Sequence, residues 1–420
     1  MDELSLLFGL ITFAVTFLSG LTAWWWLKWR RSRVGADAAT IDTIEHRIGG
    51  LAGERPSLAA GQRGQPVVVG PGSTVNVYVA DLPPAEPEVS DHFMEGSRLQ
   101  ESDQHAAAIE EFLKAFAAAE NDAQRSAVHI RIGSSFLDLA RLPEAEGHFR
   151  QGLAAAEEAK DKQGQAKALG NLGNVYLRRG DLEKAEEHYK RAMAINEEMA
   201  DKVGQANQLR NLGLVFRNRG ELDQAEEYQK RALAIHEEIG NKLGQAQTLD
   251  NLGIVYMDRG NLDRAEEHHK KALAIDEEIG NRLGQVAALG NLGVVYGQRG
   301  DLDKAEENFQ QALPIHEEIG DKLGQANQLG NLGIVYGRRG DLDKAEENFQ
   351  QALAIDGEIG DRLGQARHLG NLGNLHEERG DPETAQQYYS QALSLFEEIG
   401  AKPQIAQTQR NIERLRAHKA

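Results

Sequence analysis

The chain has 420 residues, a formal net charge of -18 and no cysteine. Without cysteine it has no disulfides, no thiolate metal ligands and no cysteine nucleophile. The acidic excess lies after residue 60 and repels phosphate backbones, so we expect no nucleic acid partner for that region.

The N-terminus carries an uncharged apolar run, Leu4 to Leu27. A helix of this length crosses a hydrocarbon core of about 30 Å. Acidic residues precede the run, tryptophans cluster at its C-terminal end, and a basic flank ending at Arg33 follows it. These flanks favour a transmembrane anchor over a cleaved signal peptide. We therefore predict a single span in residues 1–33, with the N-terminus outside and the rest of the chain cytoplasmic.

Residues 34–90 are rich in Gly and Pro at first and read as a flexible linker. Two valine runs, 67–69 and 75–79, flank Pro71-Gly72 and predict a β-hairpin within 66–80. A lone hairpin is barely stable in water. It would therefore pair with another copy of itself, giving a homo-oligomer, or with another chain, or it would dock on the downstream region. A loosely ordered stalk is the simpler alternative.

The remaining region, 91–420, is repetitive with a period of 40 residues. Asp201 is a candidate helix N-cap, and Gly220 is placed to end that helix in a left-handed conformation. A second helix then runs to a stop at Gly240. Asn-Leu-Gly marks the strict copies, and degenerate copies around Gly96 and Gly133 bring the total to eight. The strict copies begin at Asn171, Asn211, Asn251, Asn291, Asn331 and Asn371.

Both helices of a unit are amphipathic, and small residues such as Gly213 and Ala225 lie where they should cross. One hairpin cannot bury its own apolar faces, so neighbouring hairpins must stack into an all-α solenoid. The segment after Pro403 predicts a final helix that caps the last hairpin.

The repeat resembles the tetratricopeptide repeat (TPR), and the 40-residue period is similar to that of spindle-orientation Leu-Gly-Asn adaptors and kinesin light chains. Leu replaces the first-helix Trp of that family, and Glu-Glu replaces its terminal Pro. The resemblance implies a right-handed superhelix of eight helix-turn-helix units. It also implies a concave groove, lined by the first helices, that binds protein segments. The residues that carry it in one unit are Leu249, Leu252, Gly253, Tyr256, Ala265 and Ala272.

The repeated Asn is the main candidate contact in that groove. Each Asn either bonds a neighbouring helix or offers its amide to the main chain of a bound peptide, and we assign the second role. Four mid-helix glycines, including Gly290 and Gly330, indicate a close approach there or recent duplication. Arg210 and Arg217 would favour an acidic residue in the ligand. The peptide-binding prediction is Asn171, Asn211, Asn251, Asn291, Asn331, Asn371, Arg210, Leu214, Arg217, Ile254, Val294 and Ile334.

The sequence contains no pattern typical of an enzyme. Carboxylate pairs such as Glu306-Glu307 recur in every copy and predict a solvated helix face. His268-His269 are expected to be surface residues, since adjacent helical residues point about 100° apart. We predict no catalytic residues, no cofactor and no metal.

The leading hypothesis is a membrane-anchored cytoplasmic scaffold or adaptor that captures a protein segment in the groove. One alternative is a self-assembling structural protein. The other is a sensor or regulatory protein that acts with a separately encoded effector enzyme.

Overall fold

The computed structural model describes residues 81–83, 86–102 and 104–419, which form seventeen helices. They pair into eight hairpins, in which the first helix is called helix A and the second helix B, followed by a single last helix. The helices are α1 (Pro87–Glu101), α2 (His105–Ala118), α3 (Asp122–Asp138), α4 (Leu142–Glu158), α5 (Lys162–Arg179), α6 (Leu182–Glu198), α7 (Lys202–Asn218), α8 (Leu222–Glu238), α9 (Lys242–Asp258), α10 (Leu262–Glu278), α11 (Arg282–Arg299), α12 (Leu302–Glu318), α13 (Lys322–Arg339), α14 (Leu342–Ile359), α15 (Arg362–Glu378), α16 (Pro382–Glu398) and α17 (Lys402–Lys419).

The hairpin boundaries follow from local capping chemistry. The side chain of Asp201 accepts a hydrogen bond from the Gly204 backbone N–H at 3.0 Å at the start of α7. Gly220 and Gly240 end the two helices of this hairpin with φ of +79° and +67°. Glycine adopts this left-handed conformation without the steric cost of a Cβ atom. The helix ends predicted for this unit are confirmed.

Within each hairpin the two helices cross closely at the Gly of Asn-Leu-Gly. A Cβ atom on Gly213 would come within 2.5 Å of the Gln229 amide nitrogen, and one on Gly253 within 2.5 Å of the His269 ring. Real Cβ atoms do not approach other atoms so closely, so only glycine fits without repacking. The predicted crossing point at Gly213 is therefore confirmed.

The hairpins stack in chain order, and each helix B packs on the next helix A. Most consecutive A helices also make backbone contact, whereas no consecutive B helices among residues 86–419 do so to a similar extent. We call the surface formed by successive A helices the A face. The last helix, α17, packs on α16 through Ile412 and Leu415, as expected of a capping helix.

Ion pairs join consecutive hairpins on the side of the B helices. Glu306 on α12 accepts a hydrogen bond from the Tyr336 hydroxyl at 2.6 Å and pairs with Arg339, both on α13. Asp303 lies 2.6 Å from the same guanidinium. The expectation that Glu306 is fully solvated is wrong, because the next hairpin covers it. The equivalent pairs are Arg179–Glu146, Arg219–Glu186, Arg259–Glu226, Arg299–Glu266 and Arg379–Glu346.

None of the helices in residues 86–102 and 104–419 is long and apolar enough to cross a membrane. The predicted span within 1–33 and the predicted hairpin at 66–80 lie outside the described residues. The first helix begins at Pro87, inside the segment predicted as linker.

Candidate functional site

The repeated Asn residues lie on the A face, one on each of six consecutive A helices. Asn171, Asn211 and Asn251 are at most 1% exposed and Asn291 is 6% exposed. Only Asn331 and Asn371, on α13 and α15, are half-buried. In this structure an external partner therefore has access to the last two amides of the series.

Two of these amides link consecutive A helices. Asn291 on α11 donates from Nδ2 to both carboxylate oxygens of Asp250 on α9, at 3.2 and 3.0 Å. Asn211 donates to Asn174 of the preceding helix A at 3.4 Å, and the Tyr189 hydroxyl donates to the same oxygen at 2.7 Å. These Asn side chains support the stacking of hairpins, which is the structural role left open by the sequence.

Asn251 differs from its neighbours in the series. Its side chain is 1% exposed, yet neither its Nδ2 nor its Oδ1 has a hydrogen-bond partner among the described residues. A buried amide without partners costs about 1–3 kcal/mol. The contact of Asn251 with a bound peptide stays a prediction.

The aliphatic strip beside the Asn series changes from buried to exposed along the array. Leu214 is 3% and Ile254 5% exposed, Val294 is half-buried, and Ile334 is 47% exposed. Of the predicted strip, only its C-terminal end offers apolar surface to solvent.

The two predicted arginines are engaged within the array. Arg210 is fully buried and donates to the Gln247 side chain of the next helix A. Arg217 is half-buried, and its Nε lies 2.5 Å from Asp258 Oδ2 on α9. Their predicted preference for an acidic ligand residue stays a prediction.

The mid-helix glycines on the A face accommodate side chains of the next hairpin. A Cβ atom on Gly290 would lie 2.9 Å from the Gln328 amide, and one on Gly330 would meet the His368 ring. Around Gly370, by contrast, no atom lies within 4 Å of a Cβ position. Close approach thus explains Gly290 and Gly330, and the approaching groups belong to this chain.

His269 corrects an expectation, because it is fully buried rather than on the surface. Its position on α10 faces Gly253 of helix A, which leaves room for the ring. Nδ1 of His269 lies 2.6 Å from Asp250 Oδ1, and Asn291 contacts the same carboxylate. His268 is half-buried and bonds the Arg264 carbonyl instead. The two rings therefore face different surroundings.

A second set of buried polar side chains lies near the end of helix B, where it meets the next helix A. Burial raises the pKa of Asp276 to about 6, an effect opposed by the Asn281 side chain and reinforced by the charge of Asp250. Burial lowers the pKa of His236 to about 4. Sequence analysis missed this set, although its signal is the one variable residue that follows the repeated Ile of helix B. Its members are Asn196, His236, Asp276, His316 and Asp356.

Among residues 86–102 and 104–419, no group of three His, Asp or Glu side chains is placed to hold a metal ion. The exposed end of the A face instead forms a shallow depression between α13 and α15. Aliphatic, amide and charged groups line it, namely Ile334, Arg338, Asn371, Asn374, Leu375 and Glu378. This composition suits a polypeptide segment, because it offers apolar contact, amides for a main chain and charges of both signs.

Comparison with known proteins identifies the repeat. The tetratricopeptide repeat model matches residues 124–198, 204–278, 244–318, 284–358 and 324–398, together more than half of the chain. No curated protein matches the sequence.

Several solved structures have a similar fold. A Rap protein in complex with the competence and sporulation factor is 18% identical, with a TM-score of 0.52 over 79% of this chain and 98% of that one. A signal transduction ATPase with a tetratricopeptide repeat sensor, from Pyrococcus horikoshii, is 16% identical, with a TM-score of 0.52 over 77% of this chain and 55% of that one. The TPR-like repeats of a kinesin light chain from Podosopora anserina are 18% identical, with a TM-score of 0.40 over 47% of this chain and 97% of that one. At these identities the first two structures, with TM-scores above 0.5, show the fold alone. Together with the matched family model, the stacked hairpins and their glycine crossings show that the chain belongs to the tetratricopeptide repeat family.

Proposed function

We propose that this protein is a non-catalytic scaffold that binds a segment of another protein on its A face, with α13 and α15 as the open end. Repeats of this family generally mediate protein–protein interactions. The observation that carries the proposal is the 47% exposure of Ile334, an aliphatic side chain set between Asn331 and Asn371. The partner would place an apolar side chain against Ile334 and direct main-chain groups to the two amides.

The arrangement limits the chemistry of the ligand. Because successive A helices repeat the same groups at a constant spacing, an extended segment would meet equivalent positions in successive hairpins. Arg338 and Glu378 are exposed beside the depression, so a ligand with one acidic and one basic residue would pair with both. The long surface favours a polypeptide over a small molecule.

The test uses the full-length chain as bait, with Ile334→Ser and a matched control. Ile359 on α14 is also an exposed isoleucine, at 39%, so Ile359→Ser removes similar apolar surface away from the depression. We expect a direct partner to keep its affinity for Ile359→Ser and to lose about tenfold, roughly 1.4 kcal/mol, for Ile334→Ser in calorimetry. A direct partner that binds both variants equally well, and also Asn371→Ala, would contradict the proposed site.

We further propose that the N-terminal apolar run anchors the protein in a membrane with the repeats in the cytoplasm. The support is the uncharged stretch from Leu4 to Leu27 and the basic residues that follow it. A reporter that is active only in the exported compartment, fused after Ala420, is expected to be silent. Reporter activity would contradict this orientation.

A further inference from the structure

A row of exposed aliphatic side chains follows one edge of the array, where each helix A begins and each helix B ends. The second residue of helix A is exposed from α7 to α15, and Leu283 on α11 reaches 66%. The isoleucines at the ends of α10, α14 and α16 are exposed at the same edge. We call this row the leucine edge, and its members are Val203, Leu243, Ile279, Leu283, Leu323, Ile359, Leu363 and Ile399.

The leucine edge holds most of the exposed apolar surface of the described residues. Its eight members are among only eleven large apolar side chains that are exposed there, so this surface is concentrated rather than scattered. An apolar strip with polar residues beside it marks a site of protein association. The fold itself does not require an apolar residue at the second position of helix A, because α5 has the exposed Gln163 there. The strip is therefore surface that packing within the array leaves unused.

Ion pairs beside the apolar row give its two sides opposite charges. The first residue of helix A is a lysine or arginine, and it pairs with a glutamate at the end of helix B in the same hairpin. Lys242 lies 3.3 Å from Glu278 and Arg282 lies 3.1 Å from Glu318, with all four side chains 47–60% exposed. Exposed Glu277 adds to the charge of the helix B end. The equivalent pairs are Lys202–Glu238, Lys322–Glu358 and Arg362–Glu398.

This pattern matches a second copy of the same chain. A second copy presents its aliphatic side chains at the same spacing, so several hairpins can pair at once. A two-fold axis along the row turns the positive side of one copy towards the negative side of the other. An axis across the row would instead bring like charges together, which is unfavourable. Charge complementarity therefore selects a parallel pair, in which each hairpin faces the same hairpin of the other copy.

We propose that two copies of this protein associate in parallel through the leucine edge, centred on Leu283 of α11. Leu283 then faces its own counterpart at the two-fold axis, while Lys242 and Arg282 approach glutamates of the other copy. The proposed ligand contact at Ile334 lies eleven residues, about 16 Å along α13, from Leu323 of the edge. Association at this edge thus leaves the exposed end of the A face open.

The native chain contains no cysteine, so introduced cysteines report on chosen positions alone. Full-length Leu283→Cys is oxidised with copper phenanthroline and analysed on a non-reducing gel. The matched control is Leu139→Cys, which replaces an exposed leucine where a helix A ends, at the opposite end of a hairpin. We expect a disulfide between two chains for Leu283→Cys and about tenfold less for Leu139→Cys. Equal yields for the two variants, or no disulfide in either, would overturn the proposal.

The relative direction of the two copies is tested at Leu243 and Leu323, one hairpin on either side of Leu283. Full-length Leu243→Cys and Leu323→Cys chains, made distinguishable by tags of different length, are co-expressed and oxidised. A parallel pair brings each position to its own counterpart, so we expect disulfides between chains of equal length. Disulfides mainly between chains of different length would indicate an antiparallel pair and would contradict the proposed association.

A third measurement tests the charges and controls for effects on the fold. One variant carries Lys242→Glu with Lys322→Glu, and the other carries Glu278→Lys with Glu358→Lys. Exposed ion pairs contribute little to folding, but each variant now has one sign of charge on both sides of its edge. We expect co-purification of two differently tagged copies to fall about tenfold for each variant alone, and to recover when the two variants are mixed.

Unchanged association of each variant alone, or no recovery in the mixture while circular dichroism shows intact folds, would refute the charge pairing. None of these experiments contains a ligand, so their failure leaves the proposed binding at Ile334 standing.

Discussion

The buried contact between His269 on α10 and Asp250 on α9 tests how polar side chains stabilise a single hairpin. Replacement of His269 by Phe leaves the Asp250 carboxylate, 5% exposed, without the nitrogen that lies 2.6 Å from it. Asn291 alone still contacts the carboxylate, at 3.0 and 3.2 Å. Removal of a hydrogen-bond partner from a buried polar group costs about 1–3 kcal/mol, and more when the group is a carboxylate, so we expect a loss of about 3 kcal/mol.

The double variant Asp250→Ala with His269→Phe should recover part of this loss. Phe309 already occupies the equivalent position two helices later, facing Gly293, so a phenyl ring fits such a hairpin. Removal of both partners leaves no buried carboxylate, but the buried Asn291 amide loses its acceptor. We therefore expect a free energy of unfolding about 1–2 kcal/mol below that of the native chain. The coupling energy between the two sites should then exceed about 2 kcal/mol.

Hydrogen exchange measured by mass spectrometry shows which helices lose amide protection in each single and double variant. Because repeat arrays couple mainly to nearest neighbours, loss of protection for His269→Phe should concentrate in α9, α10 and α11, with α3 and α4 as internal reference. Single and double variants whose costs simply add would refute the reasoning, since additivity means that the two side chains act independently.

Two further predictions use matched pairs of residues. Gly293→Ala forces a Cβ atom against the Phe309 ring and should cost about 1–3 kcal/mol, whereas Gly370→Ala meets open space and should stabilise by up to about 1 kcal/mol in urea unfolding. Stabilisation by both substitutions would contradict the close contact between Gly293 and the Phe309 ring. Glu306→Ala removes the link between two hairpins and should cost about 1–2 kcal/mol, whereas exposed Glu307→Ala should stay within about 0.5 kcal/mol in thermal unfolding. Equal effects would show that the link adds no stability.

The ends and crossings of the helices could be predicted because they depend on nearby residues. Gly220 at +79° and the cap at Asp201 are local backbone effects, and Gly213 is small for a contact inside its own hairpin. The burial of the A face along α5, α7 and α9 could not be predicted in this way, because periodicity marks an apolar or polar stripe without saying how exposed that stripe is. The buried Asn171 and the half-buried Asn371 have the same sequence around them.

The sequence nevertheless indicated one contact between hairpins, at the mid-helix glycines of the A helices. Gly290 and Gly330 each receive a long side chain from the next helix A, Gln328 and His368. Where the glycine is replaced by Asp250, the residue that follows 38 positions later is the small Ala288. Arg210 is likewise followed 38 positions later by the small Thr248. A large residue at the glycine position is thus matched by a small residue in the next helix A. The glycines are thus explained by packing between successive hairpins.

The buried Asp276 should make stability depend on pH in a defined direction. Burial raises its folded-state pKa to about 6 from a usual value of 3.8. A raised pKa means that the folded state binds the proton more tightly, so the stabilisation is fully present below pH 3.8 and is lost as the pH rises through about 6. Above that range the ionised carboxylate costs about 3 kcal/mol. Asn196 occupies the same position in another hairpin, so Asp276→Asn should be well accommodated.

We therefore expect Asp276→Asn to be more stable than the native chain at pH 7.5, with the difference in urea midpoint shrinking between pH 6 and 4. His236, one hairpin earlier, is the control of opposite sign, since burial lowers its pKa to about 4 from 6.5. Its contribution is present above pH 6.5 and is lost as the pH falls towards 4, so His236→Asn should gain relative stability on acidification. If the stability of both variants relative to the native chain changes in the same direction with pH, the opposite pKa shifts of Asp276 and His236 do not control the pH dependence of stability. A difference for Asp276→Asn that is constant from pH 8 to pH 4 would show that its carboxylate does not titrate in this range.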